Sequence, residues 1–524
     1  MKLIHNPILA GFNPDPSILR VGDDYYIATS TFEWFPGIQI HHSKDLIHWQ
    51  LITRPLNRIT QLNMVGVPNS GGIWAPCLSY SDGHYFLIYT ITKSFNGVFQ
   101  DGHNYLVTAP DIYGPWSEPV YLNSSGFDPS LFHDDDERKW LVNMAWDHRQ
   151  IFRGILLQEY SPQEKKLVGP ITNIFNGTVL GITEGPHLYK RNGCYYLITA
   201  EGGTELGHAV TVARSKILSG PYEIDPENPV LTSRDSFTTE LKKAGHASIV
   251  ETQNGEWYMV HLCGRPLPSK GRCILGRETC IQKIVWNSDG WLRLESGGHN
   301  PQTNVQAPDL PEYSFSPQPI RDHFDSENLN IHFQTLRVPL GENDFSLKKR
   351  HGFLRLHGSE SLCSLHHQVL IARRQQAFCY TASTCLEFEP ENFQQMAGLI
   401  CFYNTNNFYY LRVSRDEIAG KCLNIIVNNR NSFSEPLDRE ISIEGWRQCY
   451  LRVVVNYERL QYHYSDNELD WKPIGPVLDA SMLSDENCIG SGFTGAFVGL
   501  CCQDSSGRRK YADFDFFEYE EHDS

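Results

Sequence analysis

Three acidic residues with similar surroundings are the side chains of this chain best suited to chemistry. Asp15, Asp128 and Glu184 each stand directly before a Pro or a Gly-Pro pair that opens a short apolar segment. Two carboxyl groups on opposite sides of a glycosidic bond can hydrolyse it, since one protonates the leaving oxygen while the other activates water or attacks the sugar. A third acid nearby raises the pKa of the proton donor by like-charge repulsion. Each acid alone is equally well explained as a turn or loop residue, so this chemistry requires that the three meet in space.

A near-repeat in the first 265 residues predicts that they meet. Five segments begin with a Pro or a small residue, continue as a short apolar strand and, after a polar turn, are followed by an aromatic strand. Their anchors lie at positions 15, 75, 128, 185 and 246, so the spacings are 60, 53, 57 and 61 residues. A period of this length is typical of the blades of a β-propeller, in which equivalent positions converge on the axis. Converging acids repel one another and thereby destabilise the fold, and a destabilising cluster of this kind is typical of an active site.

Composition limits the classes of function. A chain of 524 residues is longer than one hydrophobic core normally supports, so two domains are expected. The formal net charge of −16 disfavours nucleic acid and acidic membrane surfaces as partners. The sequence shows no apolar run of transmembrane length and no signal peptide, and its 14 Cys are scattered without a C-x-x-C pair. We therefore expect reduced, mostly buried thiols and a cytoplasmic location.

Proline-rich composition marks a linker, and the patterns on both sides of it predict strands. The predicted order is a propeller at residues 1–295, a linker at 296–320 and an antiparallel β-sandwich at 321–524 that contributes to the active-site pocket. Apolar alternation with Asn and Gly turns, without helical periodicity, makes the whole protein nearly all-β. Strands of the sandwich are expected at 408–413, 423–427, 450–455, 495–500 and 514–517.

Six short motifs follow one another along the chain: Asn13-Pro14-Asp15-Pro16-Ser17, Gly72-Ile73-Trp74-Ala75-Pro76, Gly126-Phe127-Asp128-Pro129-Ser130, Thr183-Glu184-Gly185-Pro186-His187, Gly276-Arg277-Glu278-Thr279, and Phe493-Thr494-Gly495-Ala496-Phe497-Val498-Gly499. Their order and spacing resemble glycoside hydrolase family 43, specifically its two-domain β-xylosidases, over essentially the full length. The resemblance implies a five-bladed propeller followed by a β-sandwich (jelly-roll-like), and hydrolysis with inversion of anomeric configuration. It also implies that Asp15 is the general base, Glu184 the general acid, and Asp128 the residue that tunes and orients Glu184.

The resemblance implies aromatic walls for the pocket. Phe32, Trp74 and Phe127 would surround the terminal sugar, although ordinary packing between blades is a serious competing explanation for Phe32. Phe493, on a loop of the sandwich, would close one side of the pocket, so that only one or two sugars of a chain end enter. The competing explanation for Phe493, a residue of the sandwich core, suits Phe497 better.

Two basic residues complete the implied site. Arg277 would hydrogen-bond sugar hydroxyls and Asp128, because its planar guanidinium suits both. An ion pair with Glu278 is a simpler explanation of Arg277, but adjacent strand residues point to opposite faces. His246 occupies the fifth anchor and should point at the axis. Some relatives hold a calcium ion on such a histidine, so His246 could hold one here, although no cofactor is required.

The hypothesis from sequence is an inverting exo-1,4-β-xylosidase that releases xylose from the non-reducing ends of xylo-oligosaccharides. α-L-Arabinofuranosidase activity is the nearest alternative, because arabinofuranose presents similar hydroxyls. A non-catalytic carbohydrate-binding propeller is a third hypothesis, although three repelling acids give a lectin no advantage. A propeller enzyme that cleaves sucrose or fructans would be expected to retain configuration through a nucleophile, so the first product anomer distinguishes it. The sequence leaves homo-oligomerisation open.

Overall fold

The N-terminal half forms a five-bladed propeller, as predicted. A computed structural model of the chain describes residues 2–147, 149 and 151–522. Within these residues, five antiparallel sheets of four or five strands follow one another along the chain. In order from the first blade to the fifth, their strands are Ser17–Val21, Asp24–Thr29, Gln39–Ser43 and Gln50–Thr53; Gly72–Ser81, His84–Ser94, Asp101–Ala109 and Val120–Asn123; Ser130–His133, Lys139–Trp146, Phe152–Ser161 and Lys166–Phe175; Glu184–Arg191, Cys194–Glu201, Ala209–Ser215, Glu223–Ile224 and Leu231–Thr232; and Lys242–Glu251, Trp257–Gly264, Arg277–Trp286 and Leu292–Leu294.

The five predicted anchors share one backbone conformation. Positive φ angles, from 34° to 56°, occur at Asp15, Ala75, Asp128, Gly185 and His246. A positive φ is uncommon for residues other than glycine, so its recurrence at five matched positions identifies the same backbone turn before or within the first strand of every blade, where three of the five lie at a register shift. Glu184 is one residue out of phase with this turn, since Gly185 occupies the anchor position. The repeat therefore brings two of the three acids to equivalent places and the third to the neighbouring one.

The C-terminal part is a sandwich of two antiparallel sheets. Burial alternates along Cys449–Asn456, where Cys449, Leu451, Val453 and Val455 face the core between the sheets. One sheet contains Phe345–Ser346, Leu354–His357, Tyr511–Glu521, Cys379–Glu387, Cys449–Asn456, Arg459–Ser465 and Lys472–Asp479, with Arg321–Asp322 paired to its long strand. The other contains Leu370–Arg374, Phe497–Asp504, Gln395–Asn404, Asn407–Asp416, Gly420–Asn429 and Ser432–Ser434, with Ile441–Ser442 at its side.

Short strands and stacked rings join the two parts of the molecule. Trp34–Phe35 of the propeller pairs with Thr335–Leu336 of the sandwich, whereas Leu3–His5 pairs with Asn304–Gln306 of the segment that leads from the propeller to the sandwich. The ring of Phe497 stacks on Trp34, with centroids 3.6 Å apart and planes 10° from parallel. Phe497 is fully buried, as expected, but against the propeller in addition to its own sheet. The sandwich is thus docked on the first blade, close to the turn that carries Asp15.

Helices are nearly absent, and the cysteines are free. The described part of the chain contains only two 3-10 turns, Ala480–Met482 and Asp485–Asn487, which agrees with the prediction of an all-β protein. Among the described residues, no helix has the length and apolar character needed to cross a membrane. All 14 cysteines carry free thiols, and most of them are buried.

Candidate active site

A cavity of about 240 Å³ lies where the blades converge and the sandwich meets them. Every residue that the sequence nominated for the site lines this cavity, namely Asp15, Phe32, Trp74, Phe127, Asp128, Glu184, His246, Arg277 and Phe493. The near-repeat nominated the three acids, and the family resemblance added the aromatic residues and Arg277. Together these residues come from all five blades and from the sandwich, and they meet in one cavity.

The surroundings of Asp15 hold it as a carboxylate. Its Oδ2 accepts a hydrogen bond of 2.6 Å from Ser30 Oγ, and its Oδ1 accepts one of 3.1 Å from Arg277 Nη1. His246 Nδ1 lies 3.9 Å from the same Oδ1. Burial raises the pKa of Asp15, but the charges of Arg277 and His246 and the Ser30 hydroxyl outweigh burial, so the pKa lies below its usual value. Asp15 is ionised at neutral pH and able to accept a proton.

Asp128 and Glu184 form a coupled pair of acids with raised pKa values. Desolvation, then the charges of Glu184 and Asp15, raise the pKa of Asp128 well above its usual value. Desolvation and the charge of Asp15 raise the pKa of Glu184 to about 7. Asp128 Oδ2 accepts a 3.0 Å hydrogen bond from the backbone N–H of Gly185, the residue next to Glu184. Because such neighbours titrate as a unit, burial and the repulsion between the acids favour protonation of the pair.

Arg277 has different partners from those expected. In the part of the chain that the structure describes, it makes no hydrogen bond to Asp128; Nη1 donates to Asp15 and, at 3.1 Å, to Thr204 Oγ1. The reason is its place at the start of Arg277–Trp286, where Asn13 N–H bonds the Arg277 carbonyl and brings the Asp15 turn alongside. The simpler explanation, a pair with Glu278, is wrong, since Glu278 binds Arg265 at 2.7 Å.

The aromatic side chains form a continuous wall. The Trp74 ring lies 5.5 Å from Phe127 and 6.1 Å from Phe32 between centroids. Phe493 lies 5.8 Å from Trp74 and 5.9 Å from Phe32, so the sandwich loop closes the ring of aromatics. Phe32 is almost completely buried and also packs on Phe12, at 5.7 Å. Phe32 therefore does both things that the sequence allowed, since it packs between elements and faces the cavity.

Ser70 fixes two of these aromatics, which the sequence did not predict. Its carbonyl accepts a 3.0 Å hydrogen bond from Trp74 Nε1, and its hydroxyl accepts one of 3.1 Å from the backbone N–H of Phe493. Ser70 is itself held by Glu33, whose carboxylate accepts the Ser70 N–H at 3.0 Å. Arg277 Nη2 bonds the Phe493 carbonyl at 3.2 Å. The loop of the sandwich is thereby tied to the propeller on both sides of Phe493.

The side chains around His246 supply few oxygen ligands for a calcium ion. Calcium binds six to eight oxygen ligands, whereas the His246 ring packs against Gly185 and has one carboxylate, Asp15, near Nδ1. No group of three or more His, Cys, Asp or Glu side chains suited to a metal gathers anywhere in the described residues.

Five further residues line the cavity without having been predicted. They are Phe95, Gln100, Trp146, Thr204 and Ser491. Phe95 and Gln100 lie between two strands of the second blade, and Trp146 ends a strand of the third. Only Trp146, a large aromatic at the axial end of a strand, carried a signal in the sequence. The others lie on loops, to which the near-repeat did not extend.

Comparison with known proteins gives a consistent result. The model of glycosyl hydrolases family 43 matches residues 4–292, and that of the beta xylosidase C-terminal concanavalin A-like domain matches residues 321–520. A beta-xylosidase of Bacillus subtilis (strain 168) is 52% identical, with 99% of each chain covered. A xylosidase/arabinosidase 43B of Humicola insolens is 49% identical, with 99% of this chain and 98% of the relative covered. The crystal structure of a xylan beta-1,4-xylosidase from Bacillus halodurans C-125 has a TM-score of 0.97 and 56% identity, and covers 99% of this chain and 100% of its own.

Proposed function

Because the chain belongs to glycosyl hydrolase family 43, we propose that it is a β-xylosidase that releases xylose from the non-reducing ends of short β-1,4-linked xylo-oligosaccharides. The observation that carries this proposal is the cavity itself. Three acids, one with a lowered pKa and two with raised pKa values, face a space of about 240 Å³ that aromatic rings enclose. Aromatic faces suit the C–H faces of a pyranose ring, and the volume suits very few sugars.

The charges support a mechanism with inversion. Glu184, whose pKa is raised to about 7, donates its proton to the glycosidic oxygen as the bond from that oxygen to C1 breaks. Asp15, whose pKa is lowered, takes a proton from water as the water oxygen bonds C1 from the opposite face. The product is α-xylose, and the oligosaccharide leaves one sugar shorter. Asp128 keeps the proton on the pair and holds the backbone beside Glu184 through Gly185.

Phe493 supports action at chain ends. A wall supplied by the sandwich and tied to Ser70 and Arg277 blocks continuation of the sugar chain on that side. A pocket blocked in this way admits the terminal sugar and excludes the interior of a polymer. The substrate class is accordingly a short xylo-oligosaccharide.

Stereochemistry and substrate range test this proposal together. Proton NMR of the hydrolysis of an aryl β-xylopyranoside should show α-xylose as the first anomer, before mutarotation. Initial rates should be higher on an aryl β-xylopyranoside than on an aryl α-arabinofuranoside, and xylobiose should be cleaved. A β-anomer formed first would contradict inversion, and rates on the arabinofuranoside above those on the xyloside would contradict the substrate assignment.

A second activity on α-L-arabinofuranosides has one specific observation in its favour. The relative from Humicola insolens, at 49% identity, is a xylosidase/arabinosidase. Arabinofuranose offers hydroxyls that the same Arg277 could bind. Competition of the two aryl glycosides for one enzyme distinguishes a shared pocket from two sites, since a shared pocket requires that each substrate inhibit hydrolysis of the other.

The free thiols support a reducing compartment. Cysteines in oxidising compartments are usually paired, whereas all 14 here are free and most are buried. We therefore place the enzyme in the cytoplasm, where imported short oligosaccharides would reach it. Cell fractionation with an activity assay tests this, and activity found mainly outside the cytoplasmic fraction would contradict it.

A further inference from the structure

A second cavity, of about 270 Å³, lies between the propeller and the sandwich. Three arginines line it: Arg54 from the first blade and Arg373 and Arg374 from the sandwich strand Leu370–Arg374. Two histidines, His41 and His332, face the same space. None of the described residues that line this cavity is acidic, and none of them lines the active-site cavity. It is therefore a separate, strongly basic cavity, which we call the basic cavity.

Hydrogen-bond donors in the basic cavity have no protein partner. Within the described part of the chain, Arg54 Nε, Arg373 Nε, Arg374 Nη2 and His41 Nδ1 are buried without an acceptor. The side chains of Arg54, Arg374 and His41 belong to residues that are only 5% to 7% exposed. A buried donor without a partner costs free energy, and a buried charge without a counter-charge costs more. Several such groups around one space indicate that something other than the protein satisfies them.

The partners that these guanidiniums do have are neutral. Arg54 Nη1 donates to the Ile331 carbonyl, and its Nη2 donates to Gln39 Oε1 at 2.6 Å. Arg374 Nε donates to the Phe12 carbonyl at 2.6 Å. These bonds fix the directions of the guanidiniums without neutralising them.

Arg373 is held in the same way. Its guanidinium carbon lies 4.0 Å from the centroid of the Tyr519 ring, and its Nη2 donates to Gln376 Oε1 at 3.0 Å. The charges of Tyr519 and Glu521 oppose the effect of burial on Arg373, but burial prevails and its pKa is lowered. The third arginine thus also lacks full compensation of its charge.

The protonation behaviour of the basic cavity agrees with an excess of positive charge. Burial lowers the pKa of Arg54 to about 9. Burial and then the charge of Arg54 lower the pKa of Arg374. Burial followed by repulsion from the arginines lowers the pKa of His332 to about 3. An anion in this place would raise each of these pKa values again.

We propose that the basic cavity binds a small oxyanion of the phosphate type, with Arg54, Arg373 and Arg374 as its main ligands. Guanidinium groups present pairs of N–H donors that match the oxygens of such an anion, and charge-assisted bonds of this kind are the strong ones. The neutral His41 adds one more donor from its Nδ1 when the proton is on that nitrogen. The anion joins one arginine of the propeller to two of the sandwich, so it holds the two parts of the molecule together.

The position of the site connects it to the active site. Arg54 bonds Gln39, whose Nε2 donates to Asn13 Oδ1 at 2.7 Å, and Arg374 bonds the Phe12 carbonyl. Both chains of hydrogen bonds reach the segment that leads into the Asp15 turn. An anion bound here therefore stabilises the backbone segment that leads into the Asp15 turn.

Titration of the full-length protein with phosphate tests the proposal. Sodium phosphate should raise the midpoint of thermal unfolding in a saturable way, whereas sodium chloride at the same ionic strength should not. Isothermal calorimetry should show one site per chain. Equal stabilisation by both salts would overturn the proposal, because simple screening of charge explains it.

Two arginine variants locate the binding. Arg373→Met keeps the packing on Tyr519 but loses the charge. The Kd for phosphate should therefore rise by about ten- to a hundredfold, which is the range for the loss of one charge-assisted hydrogen bond. Arg452→Met is the matched control, since Arg452 also stacks on a ring, 3.8 Å from Trp471, and has a buried Nε without an acceptor in the described residues. An unchanged Kd in Arg373→Met, or an equal rise in Arg452→Met, would overturn the assignment.

A measurement on the unaltered protein covers the case in which Arg373→Met does not fold. Crystals soaked in selenate should show an anomalous difference peak within the basic cavity, in contact with Arg54 and Arg374. Selenate peaks elsewhere only, or no peak at all, would refute the site. Since none of these measurements uses xylosidase activity, their failure leaves the proposed function untouched, and failure of the proposed function leaves them untouched.

Discussion

Replacement of Arg277 by Gln should move the whole pH profile of the reaction toward higher pH. Arg277 Nη1 lies 3.1 Å from Asp15 Oδ1, and both side chains are about 6% exposed, so solvent screens their attraction little. The general base must be ionised, so kcat/KM rises with pH through the pKa of Asp15. Loss of the guanidinium leaves the effect of burial opposed only by His246, Ser30 and His208. An opposite charge at this range lowers a carboxyl pKa by about 1 to 3, and the acid limb should move up the pH scale by that amount.

The alkaline limb should move in the same direction. The general acid must be protonated, so kcat/KM falls as the pH rises through the pKa of Glu184, which is about 7 in the intact protein. The charge of Arg277 lowers this pKa, so its loss raises it further. At a pH well below the pKa of Asp15 in the intact protein, an increase of that pKa by about 1 reduces the ionised fraction about tenfold. The variant should therefore lose proportionally more activity on the acid limb of the profile than on the alkaline limb.

The assay is kcat/KM for an aryl β-xylopyranoside between pH 4 and 9, with Arg277→Lys as a control that keeps the charge. Arg277 also bonds Thr204 and the Phe493 carbonyl, so both variants should lower the height of the profile. Only Arg277→Gln should displace its limbs. Limbs that stay in place in Arg277→Gln, or that move equally in Arg277→Lys, would refute the view that this charge sets the protonation of the acids.

Two further predictions concern the acids and the pocket wall. Glu184→Ala should lose much more rate on xylobiose than on an aryl xyloside with a good leaving group, because only the xylobiose leaving group needs strong protonation. Asp15→Ala should slow hydrolysis of the two substrates alike. Equal losses in both variants on both substrates would contradict the roles of Glu184 as general acid and Asp15 as general base. Phe493→Ala should raise KM for xylobiose about tenfold, the equivalent of ~1.4 kcal/mol. The midpoint of thermal unfolding should change little, because the ring walls the cavity and is only half buried. A large loss of stability with unchanged KM would make Phe493 a core residue.

Local patterns were sufficient for the fold class. Alternation along segments such as 449–456 and the five recurring anchors predicted strands and blades, and the structure confirms both. These features repeat at short range, so the chain itself displays them. The boundaries at 295 and 320 remain predictions, although the matches to the two family models end and begin near them.

Candidate catalytic acids were predictable for a related reason. Asp15 and Asp128 occupy the same turn of different blades, where a carboxylate recurs among small and apolar residues. Glu184 is displaced from that turn by one residue, yet it reaches the same cavity because Gly185 enters the turn in its place. A repeat that closes into a ring makes equivalent positions neighbours, so periodicity alone could nominate them.

Only the tertiary structure determined the contacts between blades and across the domain interface. The bond from Arg277 to Asp15 joins residues 262 positions apart, and the bond from Phe493 to Ser70 joins residues 423 apart. The meeting of Arg54 with Arg374 in the basic cavity is of the same kind. Such partners depend on how the ring closes and on where the sandwich docks. The geometry of the packed surfaces determines how the blades close into a ring and where the sandwich docks. The periodicity within a single blade or strand does not contain this information.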